Sequence, residues 1–448
     1  MDPKQPKPIS PARRAAFEIL RRVFSEGAYA SAVIASLPDT SLSREDRALA
    51  HEITLGVLRW QLSLDYFIER YAARPVARLD IPVVIALRMG IYQLRYLARV
   101  PPSAAVNESV NLVKQFGALS ASGFVNAVLR KAARNPADQP GAGIADPGAR
   151  LAAELSHPEW LLWRWWALLG EDETRALALA NNTTPAGAFR VNTLRVPVDR
   201  ALADLAEQGV SARPSEFVPG AFVIEDGAAA VARAAELGLI YIQDEASQLV
   251  SLLLAPQPAE RILDLCAAPG SKSSHIAALT QDKAWIVSCD VHPNRLRSLA
   301  AARDRLRADS IDAVALDAAR ELPFSEHAPK FDRVLVDAPC SGTGTLRRNP
   351  EIKWRLAPDD ITRLAALQFD LLRMGASSVR KGGRLVYSTC SIEREENEEV
   401  VLRFLEGDRS FRVIEPEAVE LITPERFVRT FPHRHGMDGF FAAILERN

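Results

Sequence analysis

Four cysteines, Cys266, Cys289, Cys340 and Cys390, are the residues of this chain best suited to nucleophilic chemistry. They are widely spaced, with no close pair of the kind that zinc ribbons or redox motifs use, so reduced thiols and no metal site are expected. Free cysteine is usually a core residue, and Cys266 and Cys289 fit that role. Cys340, in Asp337-Ala338-Pro339-Cys340-Ser341-Gly342-Thr343-Gly344-Thr345, and Cys390, in Ser388-Thr389-Cys390-Ser391, do not, because each follows a strand candidate in a loop at one edge of a sheet. A cysteine pair has a specific use on pyrimidines. C5 of cytosine is too weak a nucleophile to take a methyl group directly, but addition of a thiolate at C6 turns the ring into an enamine that is strong enough. The adduct is resolved by removing the C5 proton and expelling the thiolate, so one cysteine attacks and a second group helps release. An unperturbed thiol, with a pKa of about 8.5, is only a few per cent ionised at neutral pH, so the site must lower that value or supply a base.

A second constellation is acidic. The loop Asp264-Leu265-Cys266-Ala267-Ala268-Pro269-Gly270-Ser271-Lys272 is rich in small residues and opens a helix, so its backbone can approach a ligand closely. It lacks the three-glycine dinucleotide pattern, and Ser271 separates Gly270 from Lys272, which breaks the phosphate-loop pattern; NAD and ATP are poor fits. Asp290 follows the next strand candidate, twenty residues beyond Gly270, the offset at which an acid accepts hydrogen bonds from ribose hydroxyls. A lone aspartate after a strand commonly caps the next helix. Set beside Asp317 and Asp337, which end two further strand candidates, Asp290 reads as a ligand of an adenosine that carries no phosphates.

The elements that must position these residues are short apolar strands at 261–265, 285–289, 313–316, 333–336 and 384–388, alternating with helices, and a late apolar run at 440–445. That alternation predicts a parallel α/β sheet with crossovers, whose ligands bind beyond the carboxyl ends of its strands. Residues 10–134 instead repeat apolar positions such as Ala16, Ile19, Leu20 and Val23 at helical spacing. Ser43 stands three residues ahead of Asp46, and Pro82 and Pro102 sit where helices can begin, so an all-helical bundle is expected. The expected organisation is multidomain: an all-α domain over 9–135, a Pro- and Gly-rich linker over 136–150, a small α+β domain over 151–240 and an α/β domain over 241–448. Trp160, Trp163, Trp165 and Trp166 have the composition of a base-stacking platform, but at helical spacing they read as core.

The net charge of -1 is unevenly distributed. Residues 1–135 hold 19 Lys and Arg against 11 Asp and Glu, a surplus of +8, leaving -9 for the rest. Clustered basic charge fits docking on nucleic acid, because phosphate contacts release counterions. The N-terminal residues carry charge but no apolar run, so no secretory signal is expected. The most apolar stretch, Trp160 to Leu169, is short and interrupted by Arg164, so no membrane span is expected and a cytoplasmic location is.

The loops at 264–272, 337–344 and 388–391, with the tail Pro432-His433-Arg434-His435-Gly436-Met437-Asp438-Gly439-Phe440-Phe441, resemble the bacterial Sun/NOP2 family of RNA 5-methylcytosine methyltransferases. Pro101-Pro102-Ser103-Ala104-Ala105-Val106-Asn107-Glu108-Ser109-Val110 and Gly123-Phe124-Val125-Asn126-Ala127-Val128-Leu129-Arg130-Lys131 look like a NusB-type RNA-binding domain. The resemblance implies a Rossmann-like methyltransferase domain, S-adenosyl-L-methionine as cofactor and 16S ribosomal RNA as substrate. It implies further that Cys390 is the nucleophile, that Cys340 assists release, and that Cys266, Ala267, Ala268, Pro269, Gly270, Ser271, Lys272, Asp290, Asp317 and Asp337 contact the cofactor. A monomer is expected. Two rivals stand beside this reading. A DNA cytosine-5 methyltransferase would use the Pro-Cys cysteine as nucleophile and has no counterpart of Ser388-Thr389-Cys390. A non-catalytic RNA-binding assembly factor would retain the fold without the activity.

Overall fold

The computed structural model describes residues 9–36, 42–320, 330–416 and 421–448; the N-terminal residues 1–8, expected to carry no secretory signal, lie outside them. Two compact units are formed, Met1–Thr183 with Leu346–Arg355, and Thr184–Thr345 with Leu356–Asn448.

Among its described residues the first unit is helical throughout. Helices Pro11–Glu26, Arg44–Arg59, Gln61–Ala72, Ile81–Tyr96, Pro102–Gln115 and Ser122–Arg134 bury Phe17, Ile53, Leu58, Phe67, Ile85, Leu112 and Leu129 in one core. The start signals hold: the Ser43 hydroxyl accepts from the Asp46 amide, and Pro82 and Pro102 lie in the first turns of their helices. Part of the basic surplus is used internally, since Arg13 pairs with Glu108 at 3.0 Å and Arg88 with Asp65 at 2.7 Å. Helices Pro147–Leu155, Glu159–Leu169 and Glu171–Asn181 belong to this compact unit. The core reading of the tryptophans holds for Trp165, which is fully buried, whereas Trp163 is 45% exposed and donates to Glu159.

Leu346–Arg355 joins the helical unit for a physical reason: its side chains satisfy helix ends there. Arg355 donates to the carbonyls of Val23, Gly27 and Ala28, Lys353 to that of Arg59 and Trp354 to that of Leu58, while Glu351 accepts from the Ala30 amide. Cations sit at helix C-termini and a carboxylate at an N-terminus, as the helix dipole favours.

The second unit begins with strands β1 (Ala188–Val191), β2 (Ser211–Pro214), β3 (Ala221–Asp226) and β4 (Ile240–Ile242), in the antiparallel order β2-β3-β1-β4. With helices Val198–Glu207 and Ala228–Glu236 between them, this is the βαββαβ ferredoxin-like arrangement. Residues 210–235, for which the sequence offers no reading, contain β2, β3 and most of the helix Ala228–Glu236. Arg190 on β1 is buried and donates to the Ser271 carbonyl and the Ser274 hydroxyl, pinning the helix that follows the 264–272 loop.

The large sheet comprises β5 (Arg261–Asp264), β6 (Trp285–Asp290), β7 (Ile311–Ala315), β8 (Phe331–Asp337), β9 (Val379–Thr389), β10 (Phe411–Val413), β11 (Val428–Arg429) and β12 (Phe441–Arg447). Its order is β10-β12-β9-β8-β5-β6-β7, with β11 paired to β12; β5 to β9 run parallel and β12 antiparallel to β9. The chain leaves β5 toward β6 and β7, then returns to the other side of β5 as β8. That reversal is a topological switch point, where open α/β sheets bind ligands.

Candidate active site

Strand register brings the two loop cysteines together. Asp337 on β8 is paired with Ser388 on β9, so Cys340, three residues on, and Cys390, two residues on, leave the sheet side by side. Their Sγ atoms lie 3.3 Å apart, unbonded, and both are half-buried. The hydrogen bond to Cys390, reinforced by burial, pushes the Cys340 thiol well above its ordinary pKa. The other two thiols are disqualified as nucleophiles: burial, and then the charge of Asp264, drive Cys266 far up, and burial takes Cys289 up to about 12.

Beside the pair runs a chain of polar contacts. Lys272 donates to Asp337 at 2.7 Å, and the Ser388 hydroxyl donates to the other Asp337 oxygen at 2.8 Å. Burial opposes the Lys272 charge, but Asp337 and, after it, Cys390 outweigh that penalty and hold the ammonium above its usual range. A fixed positive charge therefore lies close to the Cys390 sulfur.

A cavity of about 490 Å³ opens at the carboxyl ends of β5 to β8 and reaches both cysteines. Asp290, Asp317 and Asp337 line it together with apolar Leu265, Val291, Leu316 and Leu371. From the small-residue loop, Cys266 and Ala268 line the cavity, whereas Ala267, Pro269, Gly270, Ser271 and Lys272 are not among its lining residues. These five residues shape the loop. The Ala267 amide bonds the Cys289 carbonyl, and Gly270 turns the chain at a φ of 99°, where an added Cβ would meet Leu299 at 3.0 Å. Pro269 is exposed, Ser271 begins the helix and Lys272 leads to Asp337. Asp290 is buried and does hold the turn before the next helix, accepting from the His292 amide at 2.9 Å; its second oxygen pairs with Arg295 at 3.5 Å, and both residues line the cavity. Asp317 is 41% exposed and pairs with Arg320 at 3.0 Å.

The three carboxylates at strand ends are each paired with one cation, Asp290 with Arg295, Asp317 with Arg320 and Asp337 with Lys272, so the apolar-walled cavity offers a phosphate no surplus of positive charge. S-adenosyl-L-methionine, an adenosine attached to a sulfonium and an ammonium, fits that donor set; a nucleotide phosphate does not. Arg295, which pairs with Asp290, and Glu396, which accepts from the Ser341 amide beside Cys340, were not visible in the sequence: Arg295 looks like any helical surface arginine, and Glu396 lies in the acidic run Glu393-Arg394-Glu395-Glu396-Asn397-Glu398-Glu399.

The sequence matches the model of the 16S rRNA methyltransferase RsmB/F family over residues 251–446. It also matches the NusB family over 10–134 and the ferredoxin-like domain of RsmF/B-like methyltransferases over 157–231. The probable ribosomal RNA small subunit methyltransferase B of Bacillus subtilis strain 168 is 36% identical over 442 residues, 97% of this chain and 98% of that protein. The ribosomal RNA small subunit methyltransferase B of Escherichia coli strain SMS-3-5 is 35% identical over 436 residues, again 97% and 98%. Among solved structures, that of PH0851 superposes with a TM-score of 0.83 at 28% identity, covering 99% of this chain and 100% of that one.

Proposed function

The chain belongs to the RsmB/F family of S-adenosyl-L-methionine-dependent RNA methyltransferases, and from that premise we propose that it methylates C5 of a cytosine in 16S ribosomal RNA through a covalent bond between Cys390 and C6 of the base. The observation that carries the covalent route is the pair of cysteine sulfurs 3.3 Å apart at the cavity. The Cys390 thiol gives up its proton to solvent, its sulfur adds to C6 and the ring electrons move to C5. S-adenosyl-L-methionine, when bound, supplies an electrophilic methyl group to that carbon. Cys340 then assists release: the C5 proton is taken up, the C5–C6 double bond re-forms and the bond from C6 to the Cys390 sulfur breaks. Cys390 is the first of the causes that raise the Cys340 pKa, ahead of burial, so forming the adduct removes one of them.

Action as a monomer is part of this proposal, and reduced thiols suit the cytoplasm. Bisulfite sequencing of 16S rRNA from a deletion strain beside wild type tests the substrate: one cytosine losing protection is expected, and an unchanged pattern would sink the assignment.

Cofactor contact by Asp290 predicts that Asp290→Ala weakens S-adenosyl-L-methionine binding by about 1–3 kcal/mol in calorimetry. An unchanged dissociation constant would leave Asp290 only its turn-forming bond to His292.

The basic helical unit is proposed to anchor the RNA. Deleting residues 1–135 would strip Lys353, Trp354 and Arg355 of their carbonyl partners, so charge substitutions are the cleaner test. Replacing the exposed Arg130, Lys131 and Arg134 by glutamine should flatten the salt dependence of RNA binding, by about 0.7–0.9 in log–log slope for each phosphate no longer neutralised, with cofactor affinity unchanged. An unaltered slope would remove these side chains from the interface.

A further inference from the structure

We infer that Glu396 is a positioning residue for the cysteine pair: a buried carboxylate that grips the residue after each thiol and so sets the spacing of the two sulfurs. The inference deepens the covalent-cysteine mechanism proposed for this site and rests on it.

Glu396 is fully buried in the short turn Arg394–Glu396 that follows the Thr-Cys loop. One carboxylate oxygen accepts from the Ser341 amide at 2.8 Å and from the Gln368 side chain at 2.9 Å. The other accepts from the hydroxyls of Ser341 and Ser391. Ser341 directly follows Cys340 and Ser391 directly follows Cys390, so a single carboxylate bridges loops that come from two different strands. The residues preceding the cysteines are held by neighbours of the same cluster. Gln368 donates to the Pro339 carbonyl at 2.9 Å, and Thr389 donates to Asn397, which in turn donates to the Ser391 carbonyl at 2.9 Å. Each cysteine is thus flanked on both sides by side chains anchored at Glu396, Asn397 or Gln368. The carbonyl of Glu396 is itself fixed, accepting from the Tyr387 hydroxyl.

Burying a carboxylate is costly unless it is fully hydrogen-bonded, and an apolar replacement commonly stabilises a fold as well or better. Stability alone therefore does not account for a buried acid whose donors converge from the cysteine loops and the helix behind them. Charge-assisted bonds are short and directional, which is what a fixed sulfur-to-sulfur distance requires. The negative charge of Glu396 also adds to the upward pressure on Cys340, after the Cys390 hydrogen bond and burial.

The test is Glu396→Gln, which keeps the shape but replaces one acceptor oxygen by a donor. With a 16S fragment and radiolabelled S-adenosyl-L-methionine, its kcat should fall by about 100-fold, the scale expected when reacting groups shift by about 1 Å. The KM for S-adenosyl-L-methionine should stay within about two-fold, and the share of enzyme caught as RNA adduct should rise, because release depends most on the spacing. A kcat within about three-fold of wild type, or a loss matched by the same loss of cofactor affinity, would overturn the inference. Should this variant fail to fold, Ser341→Ala combined with Ser391→Ala leaves Glu396 in place and should lower kcat by about 10-fold with the same rise in adduct; no change would overturn it equally. Wild-type protein in the same assay separates the two levels. If it forms neither product nor adduct, the covalent mechanism itself falls, whereas a normal wild type beside an unaffected Glu396→Gln removes only the clamp.

Discussion

Cys390→Ala should abolish methyl transfer and leave no covalent complex with RNA, because C5 acquires nucleophilic character only after a thiolate has added at C6. The expected loss is about 10⁴-fold or more, the scale seen when the nucleophile of a covalent enzyme is removed. None of the other three cysteines is placed to substitute. Cys266 and Cys289 are held neutral by burial, and Cys340, its thiol pushed far up, sits on the neighbouring loop rather than at the end of β9. Cofactor binding should be retained, because the acidic cluster proposed to hold the cofactor is left intact by the substitution. The measurement is incorporation of label from S-adenosyl-L-methionine into a 16S fragment, followed by denaturing electrophoresis. Residual turnover near wild type would exclude Cys390 as the attacking thiol.

Cys340→Ala should fail in the opposite way. Attack and methylation proceed, but release slows, so a protein–RNA adduct stable to denaturing electrophoresis should accumulate and carry the labelled methyl group. The 3.3 Å separation of the sulfurs places Cys340 where it can act while the C6 bond is still in place. An adduct trapped with Cys390→Ala and none with Cys340→Ala would reverse the two roles and restore the DNA-type mechanism, in which the Pro-Cys cysteine attacks.

Taken by itself, the sequence determined the element types and the chemistry of the loops. Strand expectations at 261–265, 285–289 and 333–336 fall within a few residues of β5, β6 and β8, because buried parallel strands are short apolar runs and their period shows without context. Cys340, Cys390 and the acidic series were legible for a similar reason: reactive residues immediately after strands are anomalous where core residues belong. Tertiary structure alone decided the rest. The pairing of Asp337 with Ser388 places two cysteines fifty residues apart in contact, and no local pattern encodes a register between strands separated by a 21-residue helix. It carried Leu346–Arg355 into the helical unit, because helix ends far away in sequence needed cations and a carboxylate there. It also took Glu396 out of an acidic run that reads as solvated surface and buried it among donors from both cysteine loops. A charge of that kind is stable only where its partners converge, and convergence is a property of the folded chain.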